Sequence, residues 1–254
     1  MNGRATQPPK KLCPQHYEEK AGVSAQSLCN RLTGSLGLQP EQKAFIKEDG
    51  INENLFLLGL ILNRARTKFR DTHLAAIDLT KSFETSSHSS IIAALAARGI
   101  DRVFVNYVRD LYANSNTAFY VNGQSGHAFH PTCGVRQGDP LSPIIFNLVI
   151  DTLISKIKES PIGTSIDGIR VVVSAYADDL ILFAETNMGL QTNLNLDQQI
   201  LKSCNLQINS SKSFTLSIPA DAKNRQTKVV PGNFAVNQSP LLSVGVEGSF
   251  KYRG

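Results

Sequence analysis

The chain has 254 residues, of which 41% are hydrophobic and 19% charged, a balance that is typical of a folded globular protein and excludes a disordered one. Its formal net charge of +5 is compatible with a nucleic-acid partner without requiring one. The 4 cysteines include no CxxC pair, which argues against a disulfide framework or zinc ribbon. Because no apolar run is long enough to span a membrane and the N-terminus lacks a signal-peptide core, we expect a soluble intracellular protein.

The first predicted elements follow a polar, proline-containing segment, residues 1–27, which we expect to be poorly ordered. A short helix is predicted over Ser27–Leu36, and a longer helix begins near Asn52. The apolar residues of the longer helix recur at helical spacing and are Leu55, Leu58, Leu62, Ala65 and Phe69. Its last turns carry the cations Arg64, Arg66, Lys68 and Arg70. These suit either the helix dipole or a phosphate contact, and the sequence favours neither.

Strands and helices are predicted to alternate in the rest of the chain. A buried strand over Leu74–Leu79 carries one carboxylate, Asp78. The other predicted elements are helices over Ser90–Arg98 (with Gly99 as C-cap) and Asp101–Tyr112 (with Phe104, Tyr107, Val108 and Leu111 on one face), a hairpin formed by Thr117–Val121 and an Asn122-Gly123 turn, helices from about Ile144 to Lys158 and over Leu190–Cys204, and a strand over Phe214–Ile218. Strands separated by helix pairs favour an α+β fold with helices mainly on one face of the sheet.

Two adjacent aspartates, Asp178 and Asp179, stand between two short apolar runs, Val171–Ala175 and Leu180–Ala184. Runs of this length and β-branched content predict buried strands joined by a tight turn. Neighbouring carboxylates at such a turn repel each other unless water, a proton or a cation intervenes. Mg²⁺ is one such cation, because it takes oxygen ligands from carboxylates and substrate phosphates. The alternative is that aspartate simply favours turns.

A second carboxylate-bearing strand favours metal binding over a simple turn preference. If the strand that carries Asp78 is a neighbour of the hairpin, three carboxylates meet at one edge of the sheet. Such an arrangement can hold two Mg²⁺ ions about 3.5–4 Å apart, which clamp the attacking and leaving oxygens of a phosphoryl displacement. Spacing in the sequence does not by itself establish that the strands converge.

Four motifs occur along the chain in a recognisable order: AAIDLTKSFE, GVRQGDPLSPIIFNLVID, YADDLILFAE and LQINSSKS. In this order they resemble the palm motifs of reverse transcriptases, specifically those of site-specific non-LTR retrotransposons. The upstream segment PEQKAFIKEDGINENLFLL resembles the fingers of that family, so the resemblance covers about residues 39–254. It implies a fingers and palm domain over residues 28–254. The implied fold is α+β, a right-hand polymerase palm in which an antiparallel sheet is backed by helices, with partial fingers.

The resemblance implies four catalytic residues. Asp78 corresponds to the first metal-binding aspartate of the family, and Asp178 and Asp179 correspond to the pair in its catalytic hairpin. Lys212 matches the lysine of the last motif, where a mobile cation would neutralise or protonate the departing pyrophosphate. A solvated surface lysine is the alternative for Lys212.

Four further residues are implied to bind substrate. Phe83 falls at the aromatic position that excludes a ribose 2′-OH and so selects deoxynucleotides, although core packing would also explain it. Gln137 and Gly138 match the region under the template base and incoming nucleotide, where a glycine allows close backbone approach. No clear arginine-bearing fingers motif is present, and Lys81 is one candidate for gripping the triphosphate in its place, beside Arg31 or Arg64.

The implied function is RNA-directed DNA polymerase. A primer 3′-OH would attack the α-phosphate of a deoxynucleoside triphosphate, with two Mg²⁺ ions (or Mn²⁺) as cofactors. The implied partners are an RNA template, a DNA primer and deoxynucleoside triphosphates, with no membrane involved. The family's life cycle implies a nuclear location, and the oligomeric state stays open.

Two departures from the family bear on activity. Glu84 replaces the usual aspartate at the end of the first motif, which keeps the charge. The chain stops at FKYRG, where the family's thumb would begin, so we expect the thumb to be missing and nucleic-acid binding to be weak and salt-dependent. The alternative function is a catalytically inactive retroelement remnant that only binds RNA or DNA. A group II intron-type maturase or a viral RNA polymerase is a third reading, and YADD with Phe83 favours DNA synthesis.

Overall fold

The computed structural model describes residues 37–45, 49–118, 120–121 and 124–245. The predicted disorder of residues 1–27 and the predicted helix over Ser27–Leu36 lie outside these ranges. Six helices are described: α1 (Gly50–Lys68), α2 (Ser82–Thr85), α3 (His88–Ala97), α4 (Arg102–Ala113), α5 (Leu141–Lys158) and α6 (Asn187–Ser203).

Thirteen short strands accompany these helices in the described ranges. They are β1 (Thr72–Ile77), β2 (Tyr120–Val121), β3 (Gln124–Ser125), β4 (Thr164–Ile166), β5 (Ile169–Val171), β6 (Val173–Tyr176), β7 (Asp179–Ala184), β8 (Phe214–Ile218), β9 (Ala220–Asp221), β10 (Gln226–Thr227), β11 (Ala235–Val236), β12 (Ser239–Pro240) and β13 (Leu242–Ser243). Strands β2 and β3 pair antiparallel, which confirms the predicted hairpin, while its Asn122-Gly123 turn lies outside the described residues.

A five-stranded sheet in the order β13-β8-β1-β7-β6 forms the centre of the fold. All neighbours in it are antiparallel except β13 and β8. Side chains alternate between its two faces, as the pleat of a strand requires. Leu180 and Leu182 of β7 face the main core, which they share with α3, α4, α5 and α6. Ile181 and Phe183 face the other way and pack with α1. The predicted α+β fold, with helices mainly on one face, is confirmed.

The central helix α5 is buried around most of its circumference, as expected of a helix that is apolar on every side. It begins at Leu141 rather than near Ile144. The carboxylate of Asp139 accepts a hydrogen bond from the Leu141 N–H at 2.9 Å, which starts the helix earlier than the apolar pattern alone indicates. Pro143 then lies in the first turn, where its missing N–H leaves no helical hydrogen bond unmade.

Two helices bury a face that overlaps only in part with the predicted one. Helix α1 buries Asn54, Leu58, Ile61 and Ala65, while Leu55 is 45% exposed. The Asn54 side chain accounts for this rotation, because its amide donates to the Ala175 carbonyl at 3.0 Å and so draws a polar residue inward. In α4 the buried residues are Val105, Val108 and Tyr112.

The remaining predicted elements agree with the structure to within a few residues. Strand β8 has the predicted bounds, and Gly99 has a φ of 66° directly after α3 and its cap Arg98, as a C-terminal glycine should. In the part of the chain that the structure describes, no helix is long and apolar enough to cross a membrane.

Candidate active site

The three aspartates of the predicted site lie at the same end of two paired strands. Strands β1 and β7 are antiparallel neighbours, with Ile77 opposite Leu180. This register places Asp78, the residue after Ile77, beside Asp179, the first residue of β7. All three aspartates are half-buried. The neighbouring strands that the sequence argument required are therefore present.

A two-residue loop presents Asp178. Tyr176 and Asp179 form the last pair of the β6–β7 hairpin, which leaves Ala177 and Asp178 as its loop. Ala177 has a positive φ of 53°, whereas Asp178 does not. This is the pattern of a type II′ turn, in which the first central residue is usually glycine. The Asp178 carboxylate accepts a hydrogen bond from Ser82 Oγ, with 2.6 Å between the oxygens.

The turn that carries Lys212 is joined to Asp78 through the main chain. The Asn209 N–H donates to the Asp78 carbonyl at 2.8 Å, and the Asp78 N–H donates to Ser213 Oγ at 3.1 Å. The N–H of Lys212 in turn donates to the Asn209 carbonyl at 3.1 Å. Lys212 itself is exposed, so its ammonium group reaches solvent at the aspartate end of the sheet.

The aspartates match Mg²⁺ in ligand chemistry but do not enclose it. Carboxylate oxygens are the hard donors that this ion prefers. Within the described ranges, however, no group of three His, Cys, Asp or Glu side chains is arranged to hold a metal ion. Since Mg²⁺ is usually bound by one or two carboxylates together with substrate phosphates, the residues present fit an ion whose coordination the substrate completes.

A pocket of about 450 Å³ is lined by Phe83, Val135, Arg136, Gln137, Gly138, Asp139, Pro140, Ser142 and Pro143. Its link to the aspartates is Ser82, which directly precedes Phe83 and whose hydroxyl binds Asp178. Phe83 stacks on Phe146 of α5, with 4.2 Å between ring centroids and 24° between ring planes. Phe83 therefore packs against the core and lines the pocket at once. The two explanations of this aromatic residue are both compatible with its position.

Gln137 and Gly138 form an exposed wall of this pocket. The Gln137 amide donates to the Glu84 carboxylate at 3.4 Å, which links the wall to helix α2. Gly138 has a φ of 86°, a left-handed conformation that glycine adopts without the steric cost that other residues have.

Lys81 lies at the start of α2, on the segment that connects Asp78 to Phe83, and is exposed. Its φ of 45° is also left-handed. Its carbonyl accepts from the N–H of Glu84 and of Thr85, so this backbone conformation is fixed by the first turn of α2. The Lys81 ammonium group is therefore available to solvent.

Sequence reasoning missed several polar residues that hold the site together, among them Ser82, Ser213 and Gln42. Ser82 lies inside the first motif, between Lys81 and Phe83. This position was the only feature of the sequence that could have indicated its role. Ser213 directly follows Lys212 in the last motif. Gln42 belongs to the upstream segment and is 1% exposed. An isolated glutamine carries no sequence signal for burial, because glutamine is mostly a surface residue.

Comparison with known proteins shows the family of the chain. Residues 26–247 match the family described as reverse transcriptase (RNA-dependent DNA polymerase). The chain is 37% identical over 227 residues to the retrovirus-related Pol polyprotein from type-2 retrotransposable element R2DM of Drosophila melanogaster. It is 34% identical over 228 residues to the corresponding polyprotein from type-1 retrotransposable element R2 of Nasonia vitripennis. Both alignments cover 89% of this chain but 21% and 22% of the polyproteins, so the chain spans about a fifth of their length.

A solved structure with the same fold is telomerase from Candida tropicalis in complex with the TWJ fragment of telomeric RNA. The TM-score is 0.57 at 11% sequence identity, over 79% of this chain and 34% of that chain. Sheet, helices and motifs thus define a polymerase palm. The chain belongs to the reverse transcriptase family, and it is a reverse transcriptase domain similar to those of R2 non-LTR retrotransposons.

Proposed function

We propose that this domain forms the nucleotidyl-transfer centre of an RNA-directed DNA polymerase that extends a DNA primer on an RNA template. The observation that carries the proposal is the pairing of β1 with β7, which brings Asp78 beside the Asp178–Asp179 turn. Carboxylates from two distant parts of the sequence meet there, and Ser82, which binds Asp178, directly precedes Phe83 of the open pocket. That combination suits binding of a triphosphate through divalent cations.

Asp78, Asp178 and Asp179 are the residues that would hold Mg²⁺, or Mn²⁺ in its place. When bound, the metal ions supply activation of the primer hydroxyl and stabilisation of charge on the phosphates. The protein contributes position: Asp78 is fixed by two main-chain hydrogen bonds, and Asp178 is oriented by Ser82. Such preorganisation matters because phosphoryl transfer depends mostly on alignment and electrostatic stabilisation.

The pocket residues bind the incoming deoxynucleotide in this proposal. Phe83 excludes a ribose 2′-OH, since its ring is held against Phe146 and cannot easily move aside. Gln137 and Gly138 form the wall on which the base pair rests. Lys81 and Lys212 are exposed cations, one three residues after Asp78 and the other in the turn that is hydrogen-bonded to it. They are suited to the triphosphate and to the departing pyrophosphate. Membership of a family described as RNA-dependent DNA polymerase supports an RNA template for this chain.

The experiment is Mg²⁺-dependent extension of a DNA primer on an RNA template at low salt, with wild-type protein and Asp178→Ala. Removal of one metal ligand should cost several kcal/mol of transition-state stabilisation, which is roughly a thousandfold in rate. Asp110→Ala, which removes an exposed carboxylate of α4, is the matched control and should extend normally.

The same two proteins distinguish polymerase activity from the second candidate function, nucleic-acid binding without catalysis. It predicts RNA or DNA binding that Asp178→Ala leaves intact, together with no metal-dependent extension by the wild-type chain. Absence of extension over a range of template lengths at low salt would contradict the proposed polymerase activity.

A further inference from the structure

A short segment, residues 39–44, runs along the outer edge of the catalytic hairpin. The N–H of Ala175 donates to the Glu41 carbonyl at 3.0 Å, and the N–H of Lys43 donates to the Ala175 carbonyl at 3.0 Å. Gln42 thereby forms a parallel bridge with Ala175 of β6. The segment extends the sheet beyond β6 by one residue pair, next to the turn that carries Asp178.

The side chain of Gln42 reaches from this bridge to the turn itself. Its Oε1 accepts a hydrogen bond from the Ala177 N–H at 2.9 Å, and its Nε2 donates to the Ala177 carbonyl at 3.3 Å. Both main-chain groups of Ala177 are thus bound by one amide. Gln42 is 1% exposed and Ala177 is 7% exposed, so water does not compete for these bonds.

Ala177 needs such support because its backbone is left-handed, with a φ of 53°. A residue with a Cβ adopts this conformation only where its surroundings impose it, and strain of this kind is concentrated at functional sites. The dihedral angles of Ala177 also set the direction in which the next residue, Asp178, leaves the turn. Whatever fixes Ala177 therefore fixes the Asp178 carboxylate.

We propose that Gln42 is a positioning residue for Asp178, whose buried amide holds the Ala177 backbone in its left-handed turn and so aims the Asp178 carboxylate at the reaction site. The inference rests on the proposed polymerase function. The inference goes beyond that function because it assigns a role to a residue of the upstream segment that lies outside the proposed metal and substrate sites.

The segment is rigid enough to serve as this support, because helix α5 anchors it at several points. The Lys158 ammonium donates to Gln39 Oε1 and to Glu41 Oε2, each at 2.9 Å. The Asn147 amide donates to the Ala44 carbonyl at 2.7 Å. The same Gln42 Oε1 also accepts from the Ala44 N–H at 3.1 Å, which orients the amide from within the segment. Position is thus transmitted from the buried core through Gln42 to the turn.

The test compares Gln42→Met, which keeps the side-chain length but loses all three hydrogen bonds of the amide, with Gln198→Met. The second is a matched control on α6 whose amide binds Asn237 and not the hairpin. Hydrogen exchange of the Ala177 amide is measured by NMR, together with kcat and KM for primer extension. In Gln42→Met we expect Ala177 to exchange at least about tenfold faster while amides of β8 are unchanged. We expect kcat to fall roughly 10- to 100-fold, with a much smaller change in the KM for the nucleotide.

A second substitution separates positioning from general packing. Glycine adopts the left-handed conformation without strain, so adding Ala177→Gly to Gln42→Met should restore at least about threefold of the lost rate. Loss of packing around Gln42 would not be repaired by a change at residue 177. If Gln42→Met fails to fold, Gln42→Asn, which keeps a buried amide one methylene shorter, is put through the same comparison.

Each result decides the inference. Unchanged exchange of Ala177 in the Gln42 variants would overturn it, as would an unchanged kcat despite faster exchange, or no rescue by Ala177→Gly. If the wild-type chain extends no primer, the proposed function fails. The exchange rate of Ala177 and the chemical shifts of Asp178 in wild type and variant then still show whether Gln42 holds the turn.

Discussion

Asp78 and Ser213 are joined by a hydrogen bond in which the Asp78 N–H donates to the Ser213 hydroxyl over 3.1 Å. That hydroxyl in turn donates to the Asn209 carbonyl at 2.8 Å, and Ser213 is fully buried. One serine therefore couples the end of β1 to the turn that carries Lys212. Two parts of the candidate site that are far apart in the sequence are thus held in a fixed relation by a residue outside the predicted catalytic set.

Ser213→Ala should lower both stability and activity. The N–H of Asp78 would lose its partner, which costs about 1–3 kcal/mol when the group stays desolvated. The end of β1 and the Lys212 turn would then lose one of the hydrogen bonds that join them, so we expect slower primer extension as well. Urea denaturation and extension assays measure the two effects. Ser211→Ala, which removes an exposed hydroxyl of the same turn, is the control and should change the free energy of unfolding by less than about 0.5 kcal/mol.

Phe83→Val tests whether this aromatic residue selects the sugar. The smaller side chain would open the pocket, and incorporation of ribonucleotides relative to deoxynucleotides should rise roughly tenfold or more. Loss of the stacking on Phe146 should also lower the free energy of unfolding by about 1–3 kcal/mol. The measurement is the ratio of kcat/KM for the two nucleotides, with thermal denaturation alongside.

The control for this substitution is Phe129→Val, at an aromatic residue that is 45% exposed and lies outside the pocket lining. It should leave the nucleotide ratio unchanged. A Phe83→Val protein that is destabilised but selects nucleotides as the wild type does would restrict Phe83 to core packing.

The strands of the palm were predictable from the sequence because a short, fully buried strand leaves a continuous apolar run. Strand β8 and the Asp178 hairpin follow such runs to within a residue or two. Helix faces were harder to predict. In α1 the inward direction depends on the hydrogen bond from Asn54 to Ala175, and no periodicity of apolar residues contains that information.

In the candidate site, too, some residues were predictable from the sequence and others were not. The aspartates and Phe83 belong to motifs in which the residue types themselves indicate a chemical role. Gln42, Ser82 and Ser213 act through hydrogen bonds to main-chain atoms or carboxylates that are distant in the sequence. Such contacts depend on the tertiary structure, so a single sequence gives no means of assigning them.

Asp197 should make stability depend on pH. It is completely buried on α6, neither carboxylate oxygen has a hydrogen-bond partner among the described residues, and burial raises the pKa of this carboxyl from 3.8 to about 8. Between those values the folded protein keeps the proton while the unfolded chain releases it. The contribution of Asp197 to the free energy of unfolding should therefore be highest below about pH 4 and fall by up to about 1.4 kcal/mol per pH unit until about pH 8.

Asp197→Asn removes this titration. The variant should be more stable than wild type at pH 8, similar near pH 4, and flatter in between, as measured by urea denaturation across that range. Asp110→Asn, on the exposed side of α4, should keep the wild-type slope. Equal slopes for wild type and Asp197→Asn would show that the carboxyl is already ionised in the folded state.

Two glycine-to-alanine substitutions should change stability in opposite directions. Gly59 lies in the interior of α1, and a Cβ there would meet no atom within 4 Å. Gly59→Ala should therefore raise the free energy of unfolding by about 0.5–1 kcal/mol, because alanine has the higher helix propensity and restricts the unfolded chain. Gly138, in the pocket wall, has a φ of 86°, so Gly138→Ala should instead lower it by about 1–2 kcal/mol.

The same two substitutions distinguish an effect on stability from an effect on nucleotide binding in the pocket. Gly59 is remote from the pocket lining, so Gly59→Ala should extend primers at the wild-type rate. Gly138→Ala should raise the KM for the nucleotide, because a Cβ or a shifted backbone would intrude where the base pair is proposed to rest. Thermal denaturation and steady-state extension kinetics measure both properties on each variant. A Gly138→Ala protein that is destabilised but keeps its KM would place the base pair away from this wall.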